Sequence, residues 1–521
     1  MASSVFRNFD EYGGEAEDCS NDIRYHDDAA KADDGNGNAN GNANTNDNDN
    51  ANANNFENAY KFTPKYQHSI KNNPMCGICF PEWISILRKR RNQIEWTVYW
   101  PRLIFITVMS ILNSIMGLMD YLIYGKQIKN SQIHPRPVFI LGHPRTGTTL
   151  LHSLLALDID QFCYCSTFCA GFPSCFLWFE SIGKIIFNGV IDDTRPMDNV
   201  KLDFDLPQED ELATNVISGG NCSPYMPLFF MKQESEFRPY YAFDDNNNQN
   251  TNQNDNDDNK NDKNSNNNNS IIINNKHDDD DERLEPSVMA DARKLWIDSF
   301  LYLLRKLTVR DENQGKQKQQ QQQRRRLLLK SPVHTARILL LNQLFPDCQF
   351  IYIHRHPYDV FRSATHMADT TYWYTYLNTP SNEQITEFIL RQYEILYERY
   401  ETGRKQIGLY LDYDDNGGDH NHNEPLQRKQ QQQQQQQQNR LVEVSFDDLS
   451  QQPVQTAQKI YKQLGWNWTT KYQQCLESEL DGHDFRSFQR NRHKLLEKHW
   501  KVIINERWGK SFERFGYSKE E

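Results

Sequence analysis

Residues 142–149 read GHPRTGTT, a glycine-bounded loop between the apolar run Val138–Leu141 and a stretch, 150–157, whose leucines have helical spacing. A strand, a loop of this kind and a helix start bring successive backbone N–H groups and the positive end of the helix dipole to one point, and glycine permits close approach. The chemistry this supports is the holding of an anion. Aligned on Gly142 and Gly147, the loop has the nucleotide-binding pattern with Thr148 in place of the usual lysine. Arg145, inside the loop, supplies a cation instead. A nucleoside triphosphatase also wants a carboxylate after a second buried strand to hold Mg²⁺. The obvious second strand, 350–353, leads into His354, Arg355, His356 and Pro357, so chemistry without a metal is expected. Ser363 lies eight positions beyond Arg355, where a helix start returns its hydroxyl to the same end of the sheet. Two strand exits on one sheet edge can grip two phosphates of one nucleotide.

Three further positions have the types that reaction chemistry needs. Lys330 follows the apolar run 327–329, another strand exit. Glu209, Asp210 and Glu211 form one acidic run after Pro207, and like charges so close could raise one pKa toward neutrality; a solvated acidic turn is the plainer reading. His334, four residues after Lys330, either takes part or packs a helix.

These residues require an α/β domain of the P-loop type, three layers with a central parallel sheet, whose expected strands are Val138–Leu141, 327–329, 350–353 and 441–444. The chain is 521 residues long with a mean hydropathy of −0.84, because four tracts (29–59, 244–282, 313–323 and 414–439) are Asn-, Asp- or Gln-rich and bury too little apolar surface to offset ordering entropy. The division expected is a disordered tail over 1–60, a helical segment over 61–135, and one domain over 136–517 interrupted by the other tracts. Residues 1–59 carry 13 acidic and 3 basic groups and residues 244–282 carry 11 and 3, so a chain of net charge −12 is positive by six elsewhere. That balance suits a small anionic ligand; the dispersed cations, without an Arg-rich helix, give no reason to expect nucleic acid. Cys76 and Cys79 make one CxxC without a second pair, which reads as thiols or a local disulfide before zinc, and Cys163, Cys165, Cys169 and Cys175 sit among aromatic residues as packing groups. The aromatic run Tyr372, Trp373 and Tyr374 reads as core or pocket wall and carries no site assignment.

The motifs GHPRTGTTLLHSLLALD, RPMDN (195–199), LPQEDE (206–211), LLLKSPVH (327–334) and FPDCQFIYIHRHPYDVFRS resemble the sulfotransferase superfamily, above all its branch of large proteins whose phosphate loop reads PRSGTT or PRTGTT. They occur in family order, and VEVSFDDLSQQPVQTAQKIYKQLGW is similar to the family's C-terminal strand and helix. The resemblance implies a donor, 3'-phosphoadenosine 5'-phosphosulfate (PAPS), and no metal. It implies that Arg145, Thr146, Gly147, Thr148 and Thr149 hold the 5'-phosphosulfate and that Arg355 with Ser363 holds the 3'-phosphate. Arg145 stands where cytosolic members carry lysine. Lys330 is implied at the transferring group; the general base is Glu209, His334 or Glu211, since relatives use either a glutamate or a histidine. The acceptor is a hydroxyl on a carbohydrate, lipid, small molecule or peptidyl tyrosine.

Two other classes of function compete: a P-loop kinase or hydrolase, and a non-catalytic assembly protein that associates through its Asn and Gln tracts. Location turns on residues 103–119, uncharged but containing Ser110, Asn113 and Ser114. They form either a single membrane-crossing helix, with Arg88–Arg91 cytoplasmic and the domain in a Golgi-like lumen, or a covering helix on a cytoplasmic domain with Ile104, Val108, Ile111, Leu112, Ile115 and Met119 as its apolar stripe.

Overall fold

The computed structural model describes residues 59–187, 202–243, 285–317, 324–409, 440–482 and 495–520, all within one compact unit, Asn55–Glu521. Helices α1 (Phe80–Lys89) and α2 (Trp96–Asn130) come first. Then follow β1 (Val138–Leu141), α3 (Thr148–Ala156), β2 (Phe162–Tyr164), α4 (Thr167–Gly171), α5 (Phe176–Phe187), α6 (Asp210–Ile217), α7 (Pro286–Gln317) and β3 (Arg326–Lys330). The chain continues through α8 (Ile338–Leu344), β4 (Gln349–His354), α9 (Pro357–Thr371), α10 (Asn382–Gln406), β5 (Leu441–Ser445) and α11 (Phe446–Gln451), with α12 (Pro453–Leu464) and α13 (Thr470–Asp481) after them.

The five strands form one sheet in the order β2-β3-β1-β4-β5, every pairing parallel. All four residues of β1 are fully buried, as a central strand covered on both faces must be. Alternation sorts the sheet's side chains into two cores. Phe139, Leu141, Leu329 and Phe350 face the layer that includes α4 to α8, while Val138, Ile140, Leu328 and Ile351 face α3, α12 and α13. The register pairs Ile140 with Lys330 on one side and with Ile351 on the other, so β1, β3 and β4 end within three residues of one another and their exit loops share one edge. Arg324 and Arg440, where the described residues resume, stand just before β3 and β5 and so at the opposite edge of the sheet.

The four strands expected from sequence form, and they pair in one parallel sheet. Strand β2 was not expected: three residues are too few to show periodicity, and it sits at the sheet edge. Helix α7 runs to Gln317 and takes in the first residues of the third polar tract, because extending a formed helix needs one hydrogen bond per residue and Gln and Lys are good helix formers. The rest of that tract, most of the other three, and the RPMDN motif lie outside the described residues. Cys76 and Cys79 are separate thiols; burial pushes Cys76 up to about 11. Cys163, Cys165, Cys169 and Cys175 are buried, and so are Tyr372 and Trp373.

Segment 103–119 belongs to the 35-residue helix α2, which lies along α1, α5 and α7. The stripe expected to face the domain faces away from it: Ile104, Val108, Ile111, Leu112, Ile115 and Met119 are all exposed. The inward face carries Arg102, Leu103, Ile106, Ser110, Asn113 and Asp120, all buried. Polar groups decide the rotation, since Arg102, Asn113 and Asp120 find partners inside. Arg102 donates to the carbonyls of Ser69, Tyr66 and Trp373 and to that of Tyr376. Asn113 donates to Cys76 O and Ile78 O, and Asp120 pairs with Lys306 at 2.6 Å.

Candidate active site

Strand β1 gives way at Gly142, where φ is +145° and a Cβ would stand 2.6 Å from Ile353 O, so only glycine fits. Thr335 fixes this turn from the neighbouring strand exit: its Oγ1 accepts the Gly142 N–H at 2.8 Å and donates to Gly142 O at 3.2 Å. Thr146 closes the loop by donating its hydroxyl to His143 O at 2.8 Å. Burial holds the His143 imidazole down at about 3, so it is a neutral packing group. Gly147 caps α3 at φ 97° without a side-chain hydrogen bond to the helix start. The first N–H groups of α3, carried by Thr148 and Thr149 onward, therefore have no intrahelical acceptor and no capping oxygen, which makes an anion their natural partner.

Two arginines converge on this loop. Arg145, at a left-handed φ of 77°, donates through Nε to Ser363 Oγ at 3.0 Å. Arg355 leaves the end of β4, donates to Arg145 O at 3.3 Å and lies with its guanidinium carbon 4.4 Å from the centre of the Phe446 ring. Ser363 is buried on α9. The two anion clamps inferred from sequence are thus neighbours, joined through Arg145.

The acidic run begins α6, where successive side chains point about 100° apart. Each carboxylate meets a different nitrogen group from the exit of β3. Glu209 accepts from Lys330 Nζ at 2.9 Å, Asp210 lies 2.5 Å from His334 Nε2, and Glu211 accepts from Arg337 at 2.8 Å. Lys330 also reaches Thr149 Oγ1 at 3.4 Å, so one ammonium group connects the phosphate loop to Glu209. Its backbone N–H donates to Asp210 Oδ1 at 3.0 Å. Burial opposes the charge on Asp210, but the His334 imidazole outweighs it and holds the carboxyl below its ordinary range.

The three carboxylates differ in access. The Glu209 side chain is 22% exposed and those of Asp210 and Glu211 are fully buried. Glu211 also accepts from Trp296 Nε1 at 3.0 Å and Ser223 Oγ at 3.2 Å, so its two oxygens tie Arg337, Trp296 and Ser223 together. His334 is fully buried against the edges of Phe139, Trp296 and Phe300, one residue behind Glu209 through Asp210.

The structure therefore brings together Arg145 through Thr149, Arg355, Ser363, Lys330 and Glu209, and places His334 and Glu211 behind them. Sequence reasoning missed Tyr225, whose hydroxyl donates to Glu209 Oε2 at 2.5 Å and lies 3.2 Å from Ser331 Oγ. Burial and the adjacent Glu209 hold this phenol well above its usual range, so it stays a proton donor. It also missed Thr335 and Phe446. Thr335 follows LLLKSPVH directly, and a hydroxyl at that strand exit was the available signal; Tyr225 carries no motif around it. Among the described residues no group of His, Cys, Asp and Glu could hold a metal ion.

The loop's dependence on Gly147 can be measured. A Cβ there would stand 2.3 Å from Phe446 Cδ2 at φ 97°, so Gly147→Ala should displace the loop or Phe446 and weaken binding of a phosphate-bearing nucleotide about tenfold or more, at a strain of about 1–3 kcal/mol. Gly465→Ala is the control: φ is 68° but nothing lies within 4 Å, so stability falls by about 1 kcal/mol and titrated nucleotide affinity stays unchanged.

The chain resembles known proteins in sequence. The chain is similar to the omega-hydroxy-beta-dihydromenaquinone-9 sulfotransferase Stf3 of Mycobacterium bovis and of Mycobacterium tuberculosis, with 24% identity over 446 residues covering 85% of this chain and 91% of each relative. Its fold was compared with the crystal structure of sulfotransferase STF1 from Mycobacterium tuberculosis, giving a TM-score of 0.48 at 14% identity over 85% of this chain and 94% of that one. The sulfotransferase family profile matches residues 137–421, which include the phosphate loop, the acidic run, Lys330 and Arg355. With more than half of its length under that profile, the chain belongs to the sulfotransferase family.

Proposed function

We propose that this sulfotransferase takes its sulfuryl group from PAPS and passes it to an acceptor hydroxyl by in-line, metal-independent transfer, with Glu209 as the general base. The observation that carries the reading is Lys330 Nζ, held between Glu209 at 2.9 Å and Thr149 of the phosphate loop at 3.4 Å. PAPS, when bound, supplies the sulfuryl group and the leaving 5'-phosphate. The residues fit it: glycine is required at both ends of the loop, and Arg145 is hydrogen-bonded to both Ser363 and Arg355.

Each protein group then has a defined task. The N–H groups at the start of α3, with Thr148 and Thr149, hold the 5'-phosphosulfate, and Arg355 and Ser363 hold the 3'-phosphate. Glu209, the accessible carboxylate of its run, takes the proton from the acceptor oxygen as that oxygen bonds to sulfur. Tyr225 and Lys330 fix the two oxygens of Glu209. Lys330 and Arg145 offset the charge that spreads onto the departing phosphate oxygen. The acceptor class is a hydroxyl-bearing molecule; the hydroxylated menaquinone named for the curated relatives supports this choice over an amine and favours a lipid among the hydroxyl classes.

Isothermal titration tests the donor. The reading requires that 3',5'-ADP binds without added metal and that ATP binds much more weakly. A preference for ATP with Mg²⁺ would make the site a kinase or hydrolase site, and no nucleotide binding at all would leave the assembly role.

A further inference from the structure

We infer that the outward face of α2, continued by α5, docks the protein onto an anionic lipid surface with α2 lying in the plane of one leaflet. In a soluble domain a surface helix turns its apolar stripe inward and its polar face to water. Helix α2 does the reverse. Ile104, Val108, Ile111, Ile115, Leu118 and Leu122 are 45–68% exposed, whereas the polar side chains of its middle turns are used up inside the domain. Helix α5 extends the patch: its Trp178 N–H donates to Asp120 at 2.8 Å, and Ile182 and Ile185 beyond are exposed. Exposed apolar side chains grouped in this way, rather than scattered singly, mark an interaction surface.

The borders of the patch select its occupant. Before the apolar stretch stand the exposed cations Arg88, Lys89 and Arg91 and the exposed indoles of Trp96 and Trp100; after it stand Tyr121, Lys126 and Lys129, also exposed. The one acidic residue of α2, Asp120, is buried on Lys306. Both ends are therefore cationic with no exposed carboxylate on the helix between them, so side-by-side pairing with a second copy, in either direction, sets like charges together. Anionic headgroups complement both ends, and indole and phenol rings settle at headgroup level.

Length and hydropathy alone would also let α2 cross a bilayer. Its inward contacts argue for lying on one. From Tyr99, bonded to Thr379, to Gln127, bonded to Asn313, the helix is tied to the domain along its whole length. Crossing would leave fully buried Lys306 without its carboxylate and Arg102 without four carbonyl acceptors.

Flotation of the full chain with phosphatidylcholine vesicles, with and without phosphatidylserine, tests the inference. The protein should float with phosphatidylserine vesicles, float less as salt rises, and be released by alkaline carbonate. Leu118→Glu with Leu122→Glu should lower vesicle binding about tenfold or more. In the same samples 3',5'-ADP affinity should stay at its wild-type value, which shows the variant folded and separates this result from any failure of the nucleotide reading. If that pair misfolds, Ile115→Ser, with its milder polarity, should still reduce flotation. Retention in carbonate pellets with one side protected from protease would replace docking by crossing. A protein that does not float but sediments as a dimer, broken by the same glutamates, would assign the face to a second copy.

Discussion

Replacing Glu209 with glutamine should lower kcat for sulfuryl transfer by about 10²–10⁴-fold while 3',5'-ADP affinity changes by no more than about twofold. The amide keeps the size of the carboxylate and the hydrogen bond from Tyr225 but cannot accept the acceptor's proton. The same substitution bears on His334. If the imidazole were the base, Glu209→Gln would leave most of the rate and His334→Gln would remove it. The geometry predicts the opposite order, because His334 Nε2 is engaged by Asp210 at 2.5 Å in a fully buried position. Single-turnover transfer assays on both variants, with nucleotide titration alongside, distinguish the outcomes.

The second large effect falls on stability. Glu211→Ala removes the acceptor of Arg337, Trp296 and Ser223 and leaves a fully buried guanidinium without its carboxylate. Loss of one partner from a buried pair costs about 3–5 kcal/mol, so the denaturant midpoint should drop sharply. Arg337 still has the carbonyls of Tyr240 and Tyr241 and the Trp296 ring at 4.3 Å, which places the cost toward the lower end of that range. Replacing both partners, Glu211→Leu with Arg337→Met, should be much milder. A Glu211→Ala protein that unfolds at the wild-type midpoint yet loses all transfer would return Glu211 to the list of bases.

Much of the catalytic edge is written in local sequence. Val138–Leu141 is a buried run because its strand is central, Gly142 and Gly147 are glycines because no Cβ fits there, and Arg355 and Ser363 stand a strand end and a helix turn apart. The sorting of the acidic run was not legible. Glu209, Asp210 and Glu211 are adjacent, yet their partners lie 121, 124 and 126 residues away, and which carboxylate stays open depends on that distant turn. Tyr225 was hidden for the same reason: its value comes from a loop folded back onto Glu209. For α2 the periodicity was visible and its direction was not, because the inward face is chosen by Lys306 and by carbonyls of other segments.

The positions of Arg324 and Arg440 bear on how far the glutamine runs before them can vary in length. Arg324 and Arg440 stand at the edge of the sheet away from the phosphate loop; glutamines 319–323 directly precede the first, and glutamines 430–438 with Asn439 precede the second. Lys330 and Arg355 stand at the other ends of their strands, so a change in the length of either connector should leave both in place. Each doubling of such a connector costs only about 0.6 kcal/mol in closure entropy. Variants that differ only in glutamine number should therefore share one transfer rate.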